Sequence, residues 1–191
     1  IRRYAPAAPV QADSEALRRA AEWLMEAKSP VIVADYVGKT PQACQSLIEL
    51  AELLAIPVLD MMGRYNFPSD HPLDLTGAES EALAQADLIL GLEVKELFAA
   101  LHVRDPHTGL SSPIFSPSAR IIHISLWDQS IRSWAMDIQR LCPVDLNIPA
   151  DEVRASGLLK ERIILFYPEL SDPSDMTLLA AAARRWKEIR A

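Results

Sequence analysis

The sequence predicts an α/β fold, doubly wound around a mostly parallel sheet of about five to six strands with helices on both faces. Three observations predict it. Short apolar runs recur along the chain, helices of 3.6-residue periodicity separate them, and capping or proline signals fall at the junctions. Strands buried on both faces read as continuous apolar runs, whereas half-exposed antiparallel strands alternate. The runs here are continuous.

In chain order, Ser14 can cap a helix carrying Leu17, Ala20, Ala21, Leu24 and Met25, which Pro30 stops. Val31-Ile32-Val33-Ala34 is the first strand. Thr40 and Pro41 form an N-cap and first-turn pair for a second helix, with Leu47, Ile48, Ala51 and Leu54 on one face. The next strand is Pro57 to Met61, followed by a proline-rich loop from Asn66 to Gly77, a helix near Glu79 to Gln85, and the strand Leu88-Ile89-Leu90 ending at Gly91. A short helix around Val94 to Leu101 precedes a long segment from His102 to Ser118. With Pro106, Gly109 and Pro113 and little apolar periodicity, that segment is expected to be a mobile loop over the strand ends. Ile121 to Ile124 and Val144 to Ile148 complete the strands, and two further helices are expected at Glu152 to Leu165 and Met176 to Arg190.

The length of 191 residues suits one domain with a short appendage. Residues 1–13, with Arg2-Arg3-Tyr4 and a Pro/Ala stretch reaching Val10, are expected to be a linker cut from something longer. Residues 14–150 form the domain proper, and residues 151–191 a C-terminal helical extension. A hydrophobic fraction of 50 % with 24 % charged residues is globular composition, and no apolar run is long enough for a membrane span. A net charge of -7 argues against nucleic acid as a partner. Cys44 and Cys142 lack metal or redox spacing, so they are expected to be buried small hydrophobes in a reducing, cytoplasmic compartment.

Several familiar chemistries fail on their own requirements. Gly38-Lys39-Thr40 resembles the end of a P-loop, but Val33 stands where the first glycine is needed and Pro41 removes an amide donor. One glycine after the first strand does not make a dinucleotide fingerprint. Ser125, Asp60 and His71 suggest a triad, yet no nucleophile elbow surrounds Ser125. His71, His102, His107 and His123 show no metal-ligand spacing; His123, inside an apolar strand, is expected to be a core or sheet-edge histidine, and His71-Pro72 to shape a loop.

Four segments carry a resemblance: Ala27 to Ala34; Leu50 to Val58; Gly63 with Phe67-Pro68-Ser69-Asp70-His71-Pro72-Leu73; and Ala86 to Leu92, followed by Ala119 to Ile124. Their order resembles the central domain of thiamine-diphosphate-dependent enzymes, the group that includes acetolactate synthase, pyruvate oxidase and oxalyl-CoA decarboxylase. The resemblance covers Ser14 to Ala150, and the Phe-Pro and His-Pro loop is its most specific part. It implies a parent enzyme using thiamine diphosphate and magnesium on 2-keto acids or related acyl donors, in which this domain is a scaffold beside other domains of the same chain, in a homo-oligomer. No Gly-Asp-Gly metal motif occurs here.

In some relatives the central domain also holds FAD or an adenine nucleotide at the strand ends, and the resemblance places any residual site at Gly38, Gly63, Arg64, Gly91 and Asp128. Asp35-Tyr36 replaces glycines of the family pattern, and Ser125 and Trp127 replace two aspartates. Both departures disfavour FAD or ADP. No catalytic residue and no metal ligand is expected in this chain alone. The alternative is a stand-alone ligand-binding or subunit-contact module that kept the fold and lost the chemistry.

Overall fold

The computed structural model describes residues 10–127, 140–151 and 156–161. The helix at Met176 to Arg190, most of the helix at Glu152 to Leu165, Asp128 and residues 1–9 lie outside them; residues 156–161 are helical.

Helix α1 (Ser14–Glu26) is capped one residue earlier than the sequence suggests, because Asp13 accepts hydrogen bonds from the amides of Glu15 (3.1 Å) and Ala16 (2.9 Å). A carboxylate is the stronger acceptor for these orphan donors, so Ser14 becomes the first helical residue. Strand β1 (Pro30–Ala34) follows, then α2 (Pro41–Leu54), where Thr40 accepts from the Ala43 amide and Pro41 stands at the first turn. That helix ends on Ala55 at φ 51°, a left-handed residue without the glycine that usually fills the position.

Strand β2 (Val58–Asp60), helix α3 (Glu79–Gln85) and strand β3 (Leu88–Leu92) come next. β3 runs through Gly91 rather than stopping there. Its pairings continue on both sides, Gly91 opposite Val33 and His123, and Leu92 opposite Ala34 and Ile124. After α4 (Leu97–Leu101), the expected loop from His102 to Ser118 is instead a hairpin of β4 (His102–Arg104) and β5 (Ser111–Pro113), paired antiparallel. The turn explains it: Asp105 Oδ1 accepts from the amides of His107 and Thr108, and the Gly109 amide donates to the Asp105 carbonyl. Alternation was unreadable because Val103 and Leu110 are both exposed. Strands β6 (Arg120–Ile124) and β7 (Leu146–Ile148) finish the sheet.

The main sheet has the order β2-β1-β3-β6-β7 and every pairing in it is parallel. From β1 the chain moves to one edge at β2, then crosses back to β3 and continues to β6 and β7. By the right-handed rule for parallel crossovers, the opposite directions of travel assign α2 to one face and α3 and α4 to the other. Val31, Ile32, Val33 and Ala34 on β1, and Leu88, Ile89 and Leu90 on β3, are fully buried. Burial of each large aliphatic side chain contributes about 1.5–3 kcal/mol, which is why the central strands carry no polar side chains.

The amino ends of the strands are tied by Asp87, whose carboxylate accepts from the amides of Lys28 (2.8 Å) and Ser29 (2.9 Å) while its carbonyl accepts from the Arg120 amide. The carboxyl ends therefore have a fixed frame on which to project their loops. The change of strand direction falls between β1 and β3, where open sheets form a crevice.

Candidate functional site

At the carboxyl ends, the residues that follow β1, β2, β3 and β6 meet. Asp60 closes β2 and organises the loop after it, with Oδ1 accepting from the Met62 amide (2.7 Å) and the Asn66 side chain (2.6 Å), and Oδ2 from the amides of Asn66 (3.1 Å) and Phe67 (3.2 Å). The loop displays Met62, at φ 59° and 78 % exposed, Arg64, and Tyr65. Backbone held at positive φ in a non-glycine residue costs of order 1–3 kcal/mol and persists only where its surroundings impose it.

This loop packs closely on the one after β1. A Cβ on Gly38 would lie 1.9 Å from the Tyr65 carbonyl oxygen, and the Gly38 amide donates to Asn66 Oδ1 at 2.9 Å. A Cβ on Gly63 would lie 2.1 Å from Asp35 Oδ1. Asp35 in turn accepts from the Lys95 amide (3.3 Å). Burial pushes the Asp35 carboxyl up, and hydrogen bonds from the Lys95 and Gly63 amides pull against that. Gly38, Gly63 and Arg64 are thus brought together. Gly91 is sealed inside β3, with His123 Cδ2 3.0 Å from the position of a Cβ, and Asp128 lies outside the described residues.

Glu93 follows β3 at φ 50° and is 1 % exposed. Its Oε2 pairs with Lys39 Nζ, and its Oε1 accepts from the Leu126 amide at 2.7 Å. The Tyr36 amide donates to the Glu93 carbonyl (3.3 Å), and Trp127 leans on Tyr36 with ring centroids 5.9 Å apart, Lys95 Nζ lying 5.7 Å from the Trp127 ring. Trp127 is therefore packed on one side and 39 % exposed on the other. Outward from β2, a cavity of about 330 Å³ is bounded by Asp60, Met62, Arg64, Tyr65, Phe67 and Thr76.

The chemistries rejected in the sequence are placed apart. Ser125 and Asp60 follow β6 and β2, three strand spacings from one another, roughly 14 Å. The Ser125 hydroxyl oxygen accepts from the Trp127 amide, and His71 packs on Phe67, accepts from the Leu73 amide at Nδ1 and faces Glu52 with Nε2 at 3.3 Å. His71 shapes its loop, as expected. His123 is fully buried, and its Nε2 donates to the Val94 carbonyl at 3.1 Å; burial lowers its pKa to about 4. Cys142 is buried as expected and its thiol is pushed up to about 11, whereas Cys44 is half-buried, with Sγ 3.3 Å from the Tyr65 carbonyl. Among the described residues, no group of three or more His, Cys, Asp or Glu side chains could hold a metal ion, and no helix is long and apolar enough to cross a membrane.

The sequence does not show Glu93 as the common partner of Lys39 and Leu126. The only trace was an acidic residue immediately after an all-apolar strand. Which cation it meets depends on the order of strands in space.

A parallel sheet with a direction reversal at β1 and β3, and interlocked loops on its carboxyl edge, defines an open-sheet, doubly wound α/β domain. The family described as "Thiamine pyrophosphate enzyme, central domain" matches residues 17–148, more than half of the chain, and the protein belongs to it. An acetolactate synthase large subunit from Mycobacterium tuberculosis is 42 % identical over 86 residues, covering 44 % of this chain and 16 % of that protein. Glyoxylate carboligase from Escherichia coli O157:H7 is 30 % identical over 154 residues, covering 76 % of this chain and 23 % of the relative. The solved structure of a thiamine diphosphate-dependent 4-hydroxybenzoylformate decarboxylase from Rhodococcus jostii RHA1 superposes with a TM-score of 0.63 at 21 % identity, over 84 % of this chain and 29 % of that one. This chain spans about a fifth of the length of the curated relatives.

Proposed function

We propose that this chain is the scaffold domain of a thiamine-diphosphate-dependent enzyme acting on 2-keto acids or related acyl donors, most similar to the acetolactate synthase branch, and inactive by itself. The match over residues 17–148 carries the proposal. In such an enzyme the cofactor supplies carbanion stabilisation when bound, and the protein positions the reactants. In this proposal the domain contributes neither a metal ligand nor a catalytic group to that chemistry. Its partners under this proposal are the other domains of the parent chain, in a cytoplasmic homo-oligomer that contacts neither nucleic acid nor membrane.

FAD and ADP bind weakly or not at all in this proposal, with any residual contact at Gly38, Gly63, Arg64, Gly91 and Asp128. What supports it is that the free faces of Gly38 and Gly63 are filled by Tyr65 and Asp35, and that Glu93 sets a carboxylate at the crevice where phosphates would need donors. Thermal unfolding with FAD, ADP or coenzyme A tests the proposal. A ligand at about 100 times its dissociation constant adds roughly 2.7 kcal/mol, a shift of several degrees in a domain of this size. No shift is expected. A shift with FAD or ADP that Arg64→Ala abolishes overturns the scaffold proposal.

A further inference from the structure

We propose that Glu93 is a built-in anion occupying a site that the fold would otherwise offer to a small carboxylate. The argument begins with burial. Glu93 is 1 % exposed while its partner Lys39 is 38 % exposed, so the anion forms the floor and the cation stands at the mouth. A buried carboxylate needs compensation on both oxygens, and here it comes from two other elements: Lys39 from the turn leading into α2, and the Leu126 amide from the loop after β6. Neither donor lies on the strand that carries Glu93.

The backbone shows that the carboxylate is held there. Glu93 stands at φ 50°, and its amide and carbonyl are both engaged, the amide with the Ile124 carbonyl at 2.9 Å and the carbonyl with the Tyr36 amide. Two loops converge on one negative charge, and the turn after β3 delivers that charge from within the chain. With the charge removed, the Leu126 amide would face a vacated space beside Lys39, entered past Lys39 and the 46 % exposed Leu126. Glu93→Ala deletes an acetate fragment, so acetate is the probe of matching size and charge.

The inference rests on the strand ends being closed to ligand, as proposed above, but its test uses a variant and the two can fail separately. In the full chain, Glu93→Ala is expected to lower the midpoint of thermal unfolding by several degrees. Acetate at rising concentration restores at least half of that loss, and chloride at matched ionic strength does not. Glu93→Gln, which fills the same space without charge, loses stability but gains nothing from acetate, and the wild-type protein is unmoved by it. Absence of rescue in Glu93→Ala, or equal stabilisation of Glu93→Ala and Glu93→Gln by acetate, overturns the proposal. Should Glu93→Ala fail to fold, Lys39→Met and the double variant Lys39→Met/Glu93→Gln decide it. A charge stranded by loss of its cation makes the single variant the less stable of the two. Additive losses overturn the proposal.

Discussion

Lowering the pH from 7 to 4 will destabilise the domain through His123, and the size of the effect follows from its position in the sheet. The imidazole is fully buried between β3 and β7, donates to the Val94 carbonyl and has no partner at Nδ1. Burial, the largest cause, lowers its pKa to about 4 from an ordinary 6.5, against the opposing effects of the Val94 carbonyl and of the nearby Asn147 side chain. Between those values the unfolded chain binds a proton that the folded chain refuses, so unfolding takes up protons and stability rises with pH. The contribution is complete above about 6.5 and is lost as the pH falls towards 4, a total of about 3 kcal/mol. That is a large share of the roughly 5–15 kcal/mol that holds such a domain together.

The assay is urea unfolding followed by circular dichroism at half-unit pH steps, on wild-type protein and on His123→Phe, an aromatic of similar shape that does not titrate. Carboxylates titrate in the same range, and Asp35, whose pKa is raised, acts in the opposite direction. Both effects cancel in the difference between the two proteins. The wild type is expected to lose about 3 kcal/mol relative to His123→Phe between pH 7 and pH 4. Parallel curves over that range would refute the assignment of a neutral, proton-refusing histidine.

Three further outcomes are expected. Gly38→Ala forces a methyl group onto the Tyr65 carbonyl and should cost about 1–3 kcal/mol in chemical denaturation, whereas Gly157→Ala, with no atom within 4 Å of its added Cβ, should be neutral or stabilising by up to about 1 kcal/mol. Ala55→Gly should raise the denaturation midpoint, stabilising by about 1 kcal/mol, because Ala55 closes α2 at φ 51°; a fall in the midpoint would show that the Ala55 methyl group is needed there. Titration calorimetry of this chain with thiamine diphosphate and magnesium should show no micromolar binding, and heat saturating in that range would contradict the scaffold proposal.

The legible parts of this molecule are those written in local sequence. Val31 to Ala34, Ile121 to Ile124 and the Thr40-Pro41 pair announce strand and cap through side-chain type alone, and each occurs where the sequence places it. Errors arise where a neighbour in space decides. Gly91 reads as a terminator, but β1 and β6 hold it in the ladder and His123 needs its bare Cα. The hairpin from His102 to Pro113 is invisible to periodicity because it buries little, and its strand character comes from pairing and a turn. At the candidate site, Gly38, Gly63 and Arg64 could be named through the family resemblance, which points to the loops after the strands. The partners of Gly38 and Gly63, at Tyr65 and Asp35, could not, since contacts between loops of different strands depend on the order of the sheet.

The hairpin also has a practical meaning. Its turn, from Asp105 to Gly109, is closed by its own hydrogen bonds and stands between β3 and β6 without contributing to the five-stranded ladder. A peptide tag or a fluorophore-bearing cysteine placed near His107 would extend a tip whose residues are exposed and leave the register of Leu88 to Ile124 intact. The domain thus carries its own attachment point, on which distance or orientation probes can be mounted without disturbing either end of the sheet.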